Sequence, residues 1–306
     1  MRVLITGAGG QLGHDLTSVF SDSPSRPDVL AADRAHLDVA DRDAVLQAIT
    51  STRPTVVIHA GAWTAVDACE GDPDRAFRVN ALGTRHVAEA AALVDAHLVY
   101  VSTDYVFDGA ATDPYREWDQ TNPLSVYGRS KLGGEREVQA LRPGATIVRT
   151  SWVCGAHGGN MVKTVLRLAQ NRPELHFVDD QHGCPTFTED LAAMILRLAT
   201  ARLPGLFHVT NQGATTWYHF ARDVLAAAGL DPDRVKPIAT AELQPPRPAP
   251  RPANSVLDNA ALRYQGIPLL DDHHIPLERL VKQLIAEGAG GAGGAGGPGG
   301  DGGVAR

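Results

Sequence analysis

Five short apolar runs recur through the first half of the chain, the first four each followed by a stretch of helical periodicity. Val3-Leu4-Ile5 precedes Leu12 to Phe20, Val29-Leu30-Ala31 precedes Asp41 to Thr52, and Val56-Val57-Ile58 precedes Pro73 to Val94. Leu98-Val99-Tyr100-Val101 then precedes Tyr127 to Leu141, and Thr146-Ile147-Val148 closes the series. Apolar runs without polar alternation belong to strands covered on both faces, and strands joined through helices run parallel. The pattern predicts an α/β protein built on a Rossmann-type, doubly wound parallel sheet over residues 1–150.

After about Ser151 the alternation loosens. Helices are predicted at Met161 to Gln170, Glu189 to Thr200, Trp217 to Ala228 and Pro276 to Ala286, with short strands at His176 to Val178 and Leu206 to His208. These make a smaller C-terminal α/β domain over residues 151–287. Within it, Pro245-Pro246-Arg247-Pro248-Ala249-Pro250-Arg251-Pro252 reads as a stiff, extended wall or lid presenting two arginines. Of the 31 glycines, 11 lie between Gly288 and Gly303. Residues 288–306 therefore have almost nothing to bury and are expected to form a flexible Gly-rich tail.

Charge and cysteine usage narrow the class further. The formal net charge of −7, with no Lys/Arg block, argues against a nucleic-acid partner. No apolar run approaches the roughly 18 to 20 residues that span a bilayer, and no signal peptide precedes the first strand, so no membrane partner and a cytoplasmic location are expected. Cys69, Cys154 and Cys184 have neither disulfide nor zinc-site spacing.

The chemistry begins at the first strand's end. Gly7, Gly10 and Gly13 form G-x-x-G-x-x-G between a strand and a helix. In that context glycine permits a tight turn and close backbone approach to a pyrophosphate, while the helix N-terminus directs free N–H groups at it. The second strand runs into Asp33-Arg34. A carboxylate there suits the ribose hydroxyls of NAD, whereas the arginine suits the 2′-phosphate of NADP, so the cofactor is NADPH or NADH with the choice open. Asp38 and Val39 are placed to approach the adenine, and Ala62, Trp63 and Thr64 follow the third strand, where they border the cofactor.

The fourth strand delivers Ser102-Thr103-Asp104-Tyr105, and Tyr127 and Lys131 follow at i and i+4 on one helix face. A nearby ammonium favours phenolate, which brings the Tyr127 hydroxyl toward useful acid/base range, and Lys131 also holds the nicotinamide ribose. Thr103 is positioned to donate a hydrogen bond to a substrate carbonyl. Together with the glycine loop this is a Tyr-Lys-Thr hydride-transfer site.

These motifs resemble the extended short-chain dehydrogenase/reductases that act on nucleotide sugars, and among them the dTDP-4-dehydrorhamnose reductase family. The resemblance rests on Gly10-Gln11-Leu12-Gly13, Ala65-Val66-Asp67, Ser102 to Phe107, Val126 to Lys131, Arg149-Thr150-Ser151-Trp152-Val153, Asp180 to Thr186, Thr215-Thr216-Trp217 and Arg251 to Ser255. It implies NAD(P)H-dependent reduction of the C4 keto group of dTDP-4-dehydro-L-rhamnose to dTDP-L-rhamnose. Tyr127 would donate the proton, Lys131 would position the cofactor, and Thr103 and Asp104 would bind the hexose, with Tyr105 adjoining and Trp152 walling the sugar site. Cofactor contacts are implied at Gly10, Gln11, Leu12, Asp33, Asp38, Val39, Ala62, Trp63 and Thr64, while the second domain would grip the dTDP portion of the substrate, with Arg251 and Asn254 of the Pro-rich loop as candidates for contacts to its pyrophosphate. Some family members bind magnesium at a dimer interface. Asp15, Glu189 and Glu287 fall at comparable places, but Asp15 is shorter than the glutamate expected, so Mg2+ and a homodimer are left open.

Three other readings are kept in view. The substrate can be a different dTDP-4-keto-6-deoxyhexose, which the motifs do not separate. A dehydratase is disfavoured because Asp104-Tyr105 stands where that branch carries Asp-Glu. A non-catalytic NADP-binding regulatory subunit would not need Thr103, Tyr127 and Lys131, all of which are present.

Overall fold

A computed structural model describes residues 1–290, with the last three known only as part of a helix. The first half alternates as the apolar runs dictate. Its elements are β1 (Arg2–Thr6), α1 (Gln11–Asp22), β2 (Asp28–Ala32), α2 (Arg42–Thr52), β3 (Val56–His59), α3 (Val66–Gly71), α4 (Pro73–Phe77), α5 (Gly83–Leu93), β4 (His97–Thr103), α6 (Val126–Leu141) and β5 (Thr146–Thr150). The second half adds β6 (Val153–Cys154), α7 (Met161–Asn171), β7 (Leu175–Val178), β8 (His182–Gly183), β9 (Thr186–Phe187), α8 (Thr188–Ala201), β10 (Gly205–His208), β11 (Thr215–Thr216), α9 (Trp217–Ala227), β12 (Val235–Ile238), α10 (Ala260–Tyr264) and α11 (His274–Gly290).

Six strands form one parallel sheet in the order β10-β5-β4-β3-β1-β2. The order reverses between β1 and β3, and open sheets of this kind bind ligands outside the strand ends at that crevice. β3 and β5 are buried along their whole length, whereas β2 at the edge is half exposed. Polar caps start the helices that face the crevice: Ser125 accepts from the Gly128 amide at 3.1 Å before α6, and Thr216 accepts from His219 at 3.2 Å before α9.

The chain leaves this sheet after Thr150 and comes back to it. β10 pairs with β5 in parallel, and α8 packs beside α1, so Leu191, Ile195, Leu198 and Phe207 share a core with Val3, Ile5 and Leu16. The span 151–287 therefore serves two bodies. Its own core joins α7, β7, α9 and α11 through Val165, Phe177, Phe220, Val224, Leu277 and Val281, with β7 and β12 paired beside it.

Two further differences from the sequence pattern have local causes. The continuous helix expected from Pro73 to Val94 is interrupted by a π-helical turn at Arg78–Leu82, and α3 precedes it. Asn80 in that turn is fully buried and bonded to a neighbouring loop, a tertiary demand that helical periodicity does not encode. The last helix extends to Gly290, past the residue at which the tail was expected to begin, and residues 291–306 of that tail lie outside the described residues.

Candidate active site

A cavity of about 730 Å³ opens at the C-terminal ends of the sheet strands and runs from the first glycine loop to the second body. Gly7, Gly10, Gln11, Leu12, Gly13, Asp33, Asp38, Val39, Ala62, Trp63, Thr64, Thr103, Asp104, Tyr105, Tyr127, Lys131 and Trp152 all line it. One side is a backbone cradle. Gly7 has φ +73°, and a Cβ on it would lie 2.7 Å from Gly61; a Cβ on Gly13 would lie 2.2 Å from the Gly7 carbonyl oxygen. The first turn of α1 thus sits against β1 with its free amides open to the crevice, which fits a dinucleotide's pyrophosphate.

At the end of the cavity beside β2, Asp33 is partly engaged. Its Oδ1 accepts from the His36 amide at 3.0 Å and lies 2.6 Å from His36 Nδ1, contacts that hold its carboxyl below the usual range. Arg34 is exposed, its Nε 4.0 Å from Asp38.

At the centre, Lys131 is buried and donates through Nζ to the Val101 carbonyl at 2.7 Å, lying 4.2 Å over the Tyr100 ring. Desolvation draws its pKa down to about 7, against the opposing pull of Glu135. The Tyr127 phenol behaves differently from the sequence expectation. Burial pushes it well above its ordinary range, and the neighbour that lowers it is the Thr103 hydroxyl rather than the lysine. The physical reason is that Lys131 points its ammonium at a backbone carbonyl, and the low-dielectric surroundings disfavour both charged forms.

Thr103 donates to Asp104 Oδ1 at 2.9 Å. Asp104 is buried and pushed up to about 6 by desolvation. The Ser255 hydroxyl also favours its charge, but Asp104 Oδ2 and the Thr150 Oγ1 make no close hydrogen bond among the described residues, and both residues line the cavity. Unpaired buried acceptors and hydroxyls are costly, and a hydroxyl-bearing ligand satisfies them.

The second body supplies an aromatic wall. Trp152 adopts φ +46°, a left-handed conformation rare for a bulky residue, and its ring stacks on Trp217 at 3.5 Å and 7°. Gly183 makes room for it: a Cβ there would be 2.4 Å from Trp152 Cε2. Trp217 was not singled out by sequence as a wall, and its only signal was its place in Thr215-Thr216-Trp217.

Two supporting groups also escaped the sequence reading. Glu135, one turn beyond Lys131, forms a buried bidentate pair with Arg149, at 2.9 Å to Nε and 2.7 Å to Nη2, and accepts from Ser102 at 2.5 Å. This pair joins β4, β5 and α6 beneath the site. Asn80 accepts from the Trp63 amide at 2.8 Å and donates to Ser130 at 2.9 Å, which ties the loop after β3 to α6. Spacing on α6 could have found Glu135; nothing local marks Asn80.

The structure does not bring Arg251 and Asn254 into the cavity lining. Arg251 clasps Asp67 through both terminal nitrogens at 2.8 Å, with Arg247 3.7 Å from the same carboxylate, and Asn254 donates to the Ala111 carbonyl at 2.8 Å. The Pro-rich loop is therefore latched to α3. Asp15 and Glu189 line a separate cleft, where Arg279 lies 3.8 Å from Glu189, while Glu287 accepts from Gln283. The Cys69, Cys154 and Cys184 thiols are free and buried, and burial is the largest cause raising each.

A six-stranded parallel sheet with a glycine cradle at its switch point and a Tyr-x-x-x-Lys helix beside it defines an extended short-chain dehydrogenase/reductase. The family model described as the RmlD substrate binding domain matches residues 1–285. The chain belongs to this family. It is 44% identical over 272 residues, covering 87% of this chain and 88% of the relative, to a dTDP-4-dehydrorhamnose reductase of Streptomyces griseus. It is 40% identical over 290 residues, 94% of this chain and 96% of the relative, to a probable dTDP-4,6-dihydroxy-2-methyloxan-3-one 4-ketoreductase of Streptomyces antibioticus. Among solved structures it superposes with TM-score 0.88 on the dTDP-4-dehydrorhamnose reductase of Bacillus anthracis in complex with NADP, at 39% identity over 92% of this chain and 99% of that one. No helix among the described residues is long and apolar enough to cross a membrane.

Proposed function

We propose that the protein reduces the C4 ketone of dTDP-4-dehydro-L-rhamnose to dTDP-L-rhamnose, using NADPH with NADH as the alternative donor. The observation that carries this reading is the single cavity in which the backbone cradle, the Thr103–Tyr127–Lys131 group and the Trp152–Trp217 wall meet. The Gly7, Gly10 and Gly13 turn and the α1 N-terminus fit the pyrophosphate of the dinucleotide, whose reduced nicotinamide supplies hydride to C4 when bound. Arg34, exposed beside an Asp33 already engaged by His36, supports the phosphorylated form.

Tyr127, kept neutral by burial, holds the proton that the C4 oxygen takes as its negative charge develops. Thr103, whose one hydroxyl proton goes to Asp104 Oδ1 in the free protein, would turn it to that oxygen when the ketone binds, leaving Asp104 to accept from the hexose. Lys131, anchored on the Val101 carbonyl, binds the nicotinamide ribose, and the Thr103 hydroxyl is the neighbour that favours the phenolate once Tyr127 has released its proton. Trp152 and Trp217 exclude water from one face of the sugar.

The same reading includes a cytoplasmic enzyme, for which three free thiols are suited, and a homodimer that sedimentation would test. The Streptomyces antibioticus relative favours a second substrate, another dTDP-4-keto-6-deoxyhexose, and both ketones belong in the assay. Oxidation of NADPH and NADH is followed at 340 nm with wild type and Tyr127→Phe. The wild type should turn over with NADPH, and the variant should lose about 10²–10⁴-fold in kcat while still binding cofactor. Turnover of every ketone unchanged in Tyr127→Phe would overturn the mechanism.

A further inference from the structure

His273 and His274 form a pair whose role the catalytic site leaves unexplained, packed against α9 through Phe220. They sit at the start of α11 and stack on each other at 4.1 Å, while Asp223 reaches them from α9. One ligand atom of each of the three residues lies within 4.8 Å of the others. Asp223 Oδ2 is 3.4 Å from His274 Nε2 and 3.8 Å from His273 Nε2. Ligands held at about 2.0–2.2 Å around a tetrahedral ion stand about 3.4 Å apart, so these separations need little adjustment.

The outer contacts fix which nitrogens face inward. His273 Nδ1 lies 3.1 Å from the Gln212 carbonyl, and since a carbonyl only accepts, that nitrogen carries the proton. His274 Nδ1 lies 2.6 Å from Asp272 Oδ1, which likewise takes a donor. Metal-bound histidines characteristically donate their second nitrogen to a carbonyl or carboxylate in this way. Both Nε2 lone pairs are then left converging on a carboxylate. His273 is 2% exposed, and its Nε2 is buried with no hydrogen-bond partner among the described residues. Gly213, with φ +92°, makes the outer contact possible, since a Cβ there would lie 2.7 Å from His273 Nδ1.

We propose that Asp223, His273 and His274 bind a divalent transition-metal ion of the zinc class, with the exposed side of His274 leaving a fourth position for water. Two imidazoles and one carboxylate form a donor set that suits such ions over magnesium or calcium. The ion ties the start of α11 to α9, the helix that begins with Trp217 of the aromatic wall. The site takes no part in the hydride transfer and contains none of the catalytic groups.

The test uses the untagged full chain, stripped with chelator and titrated with Co2+, whose visible absorption reports coordination, and then with Zn2+ in competition. One equivalent should bind, the His274→Ala and Asp223→Asn variants should each weaken binding at least about 100-fold, and Asp272→Asn roughly tenfold. Circular dichroism verifies folding of the variants, and both ligand positions tested are at least partly exposed, so neither substitution opens the core. His14→Ala, at the separately stacked His14–His157 pair, should leave binding unchanged. Absence of a bound ion in the wild type, binding unaltered in both ligand variants, or equal loss in His14→Ala would overturn the proposal.

Discussion

The two ends of the cavity are made differently. The cofactor end is chiefly backbone: contiguous residues 7–13 form a turn and a helix start, and what matters is the absence of Cβ atoms. The end where the proposed function seats the sugar is side chains drawn from distant segments, with Trp152 lodged against Gly183 and stacked on Trp217. A backbone site tolerates a change of chemistry but not of volume, whereas a side-chain wall can shift by degrees and so discriminate among related hexoses. Substitutions that add one methyl group at each end separate the two.

The largest effect is expected at Gly13→Ala. The new Cβ would lie 2.2 Å from the Gly7 carbonyl oxygen and 2.6 Å from the Ala8 backbone, neither of which can move without displacing α1 from β1. Cofactor affinity should fall roughly 100-fold, the equivalent of about 3 kcal/mol of overpacking, in calorimetric titration with NADPH. Affinity within threefold of wild type would mean the cradle is softer than its geometry implies. Gly183→Ala is the matched change at the other end. Its Cβ meets the Trp152 ring at 2.4 Å, and the ring has the open cavity to move into. KM for the sugar should rise about tenfold with cofactor affinity unchanged. A parallel loss of cofactor affinity would erase the distinction between the two ends.

The same contrast explains what the sequence could convey. Short apolar runs predict β1 to β5 because strand burial is a local pattern, and G-x-x-G-x-x-G and Tyr-x-x-x-Lys are local for the same reason. β10 joining the sheet beside β5, some 55 residues after the chain has left it, has no such signal, and the loosened alternation after Ser151 reads as a second body throughout. The Glu135–Arg149 pair and the Trp152–Trp217 stack depend on contacts between elements, which is why the residue types were visible but their partners were not. The Tyr127–Lys131 spacing was legible, but its electrostatics were not, because desolvation is set by the fold and here outweighs the neighbouring charge.

Desolvation also makes a prediction at the joint between the two ends. Asp104 titrates near 6 in the folded protein against 3.8 for an ordinary aspartate, since burial disfavours its charge more than the Ser255 and Thr103 hydroxyls favour it. Between those values the folded state binds more protons than the unfolded chain, so stability from this group falls as pH rises from about 4 to 6 and stays reduced above it. Asp104→Asn keeps an acceptor for Thr103 without the buried charge. Its thermal stability relative to wild type should therefore improve between pH 4 and 6.5 and then level off, by on the order of 1–3 kcal/mol. Hexose binding should move the opposite way, because only the carboxylate accepts through both oxygens: wild-type KM should drop as pH passes 6, and the asparagine variant should show a higher KM with no step. A variant that kept the wild-type pH step in KM would assign that titration to another group, and the chemistry at the joint would no longer run through Asp104.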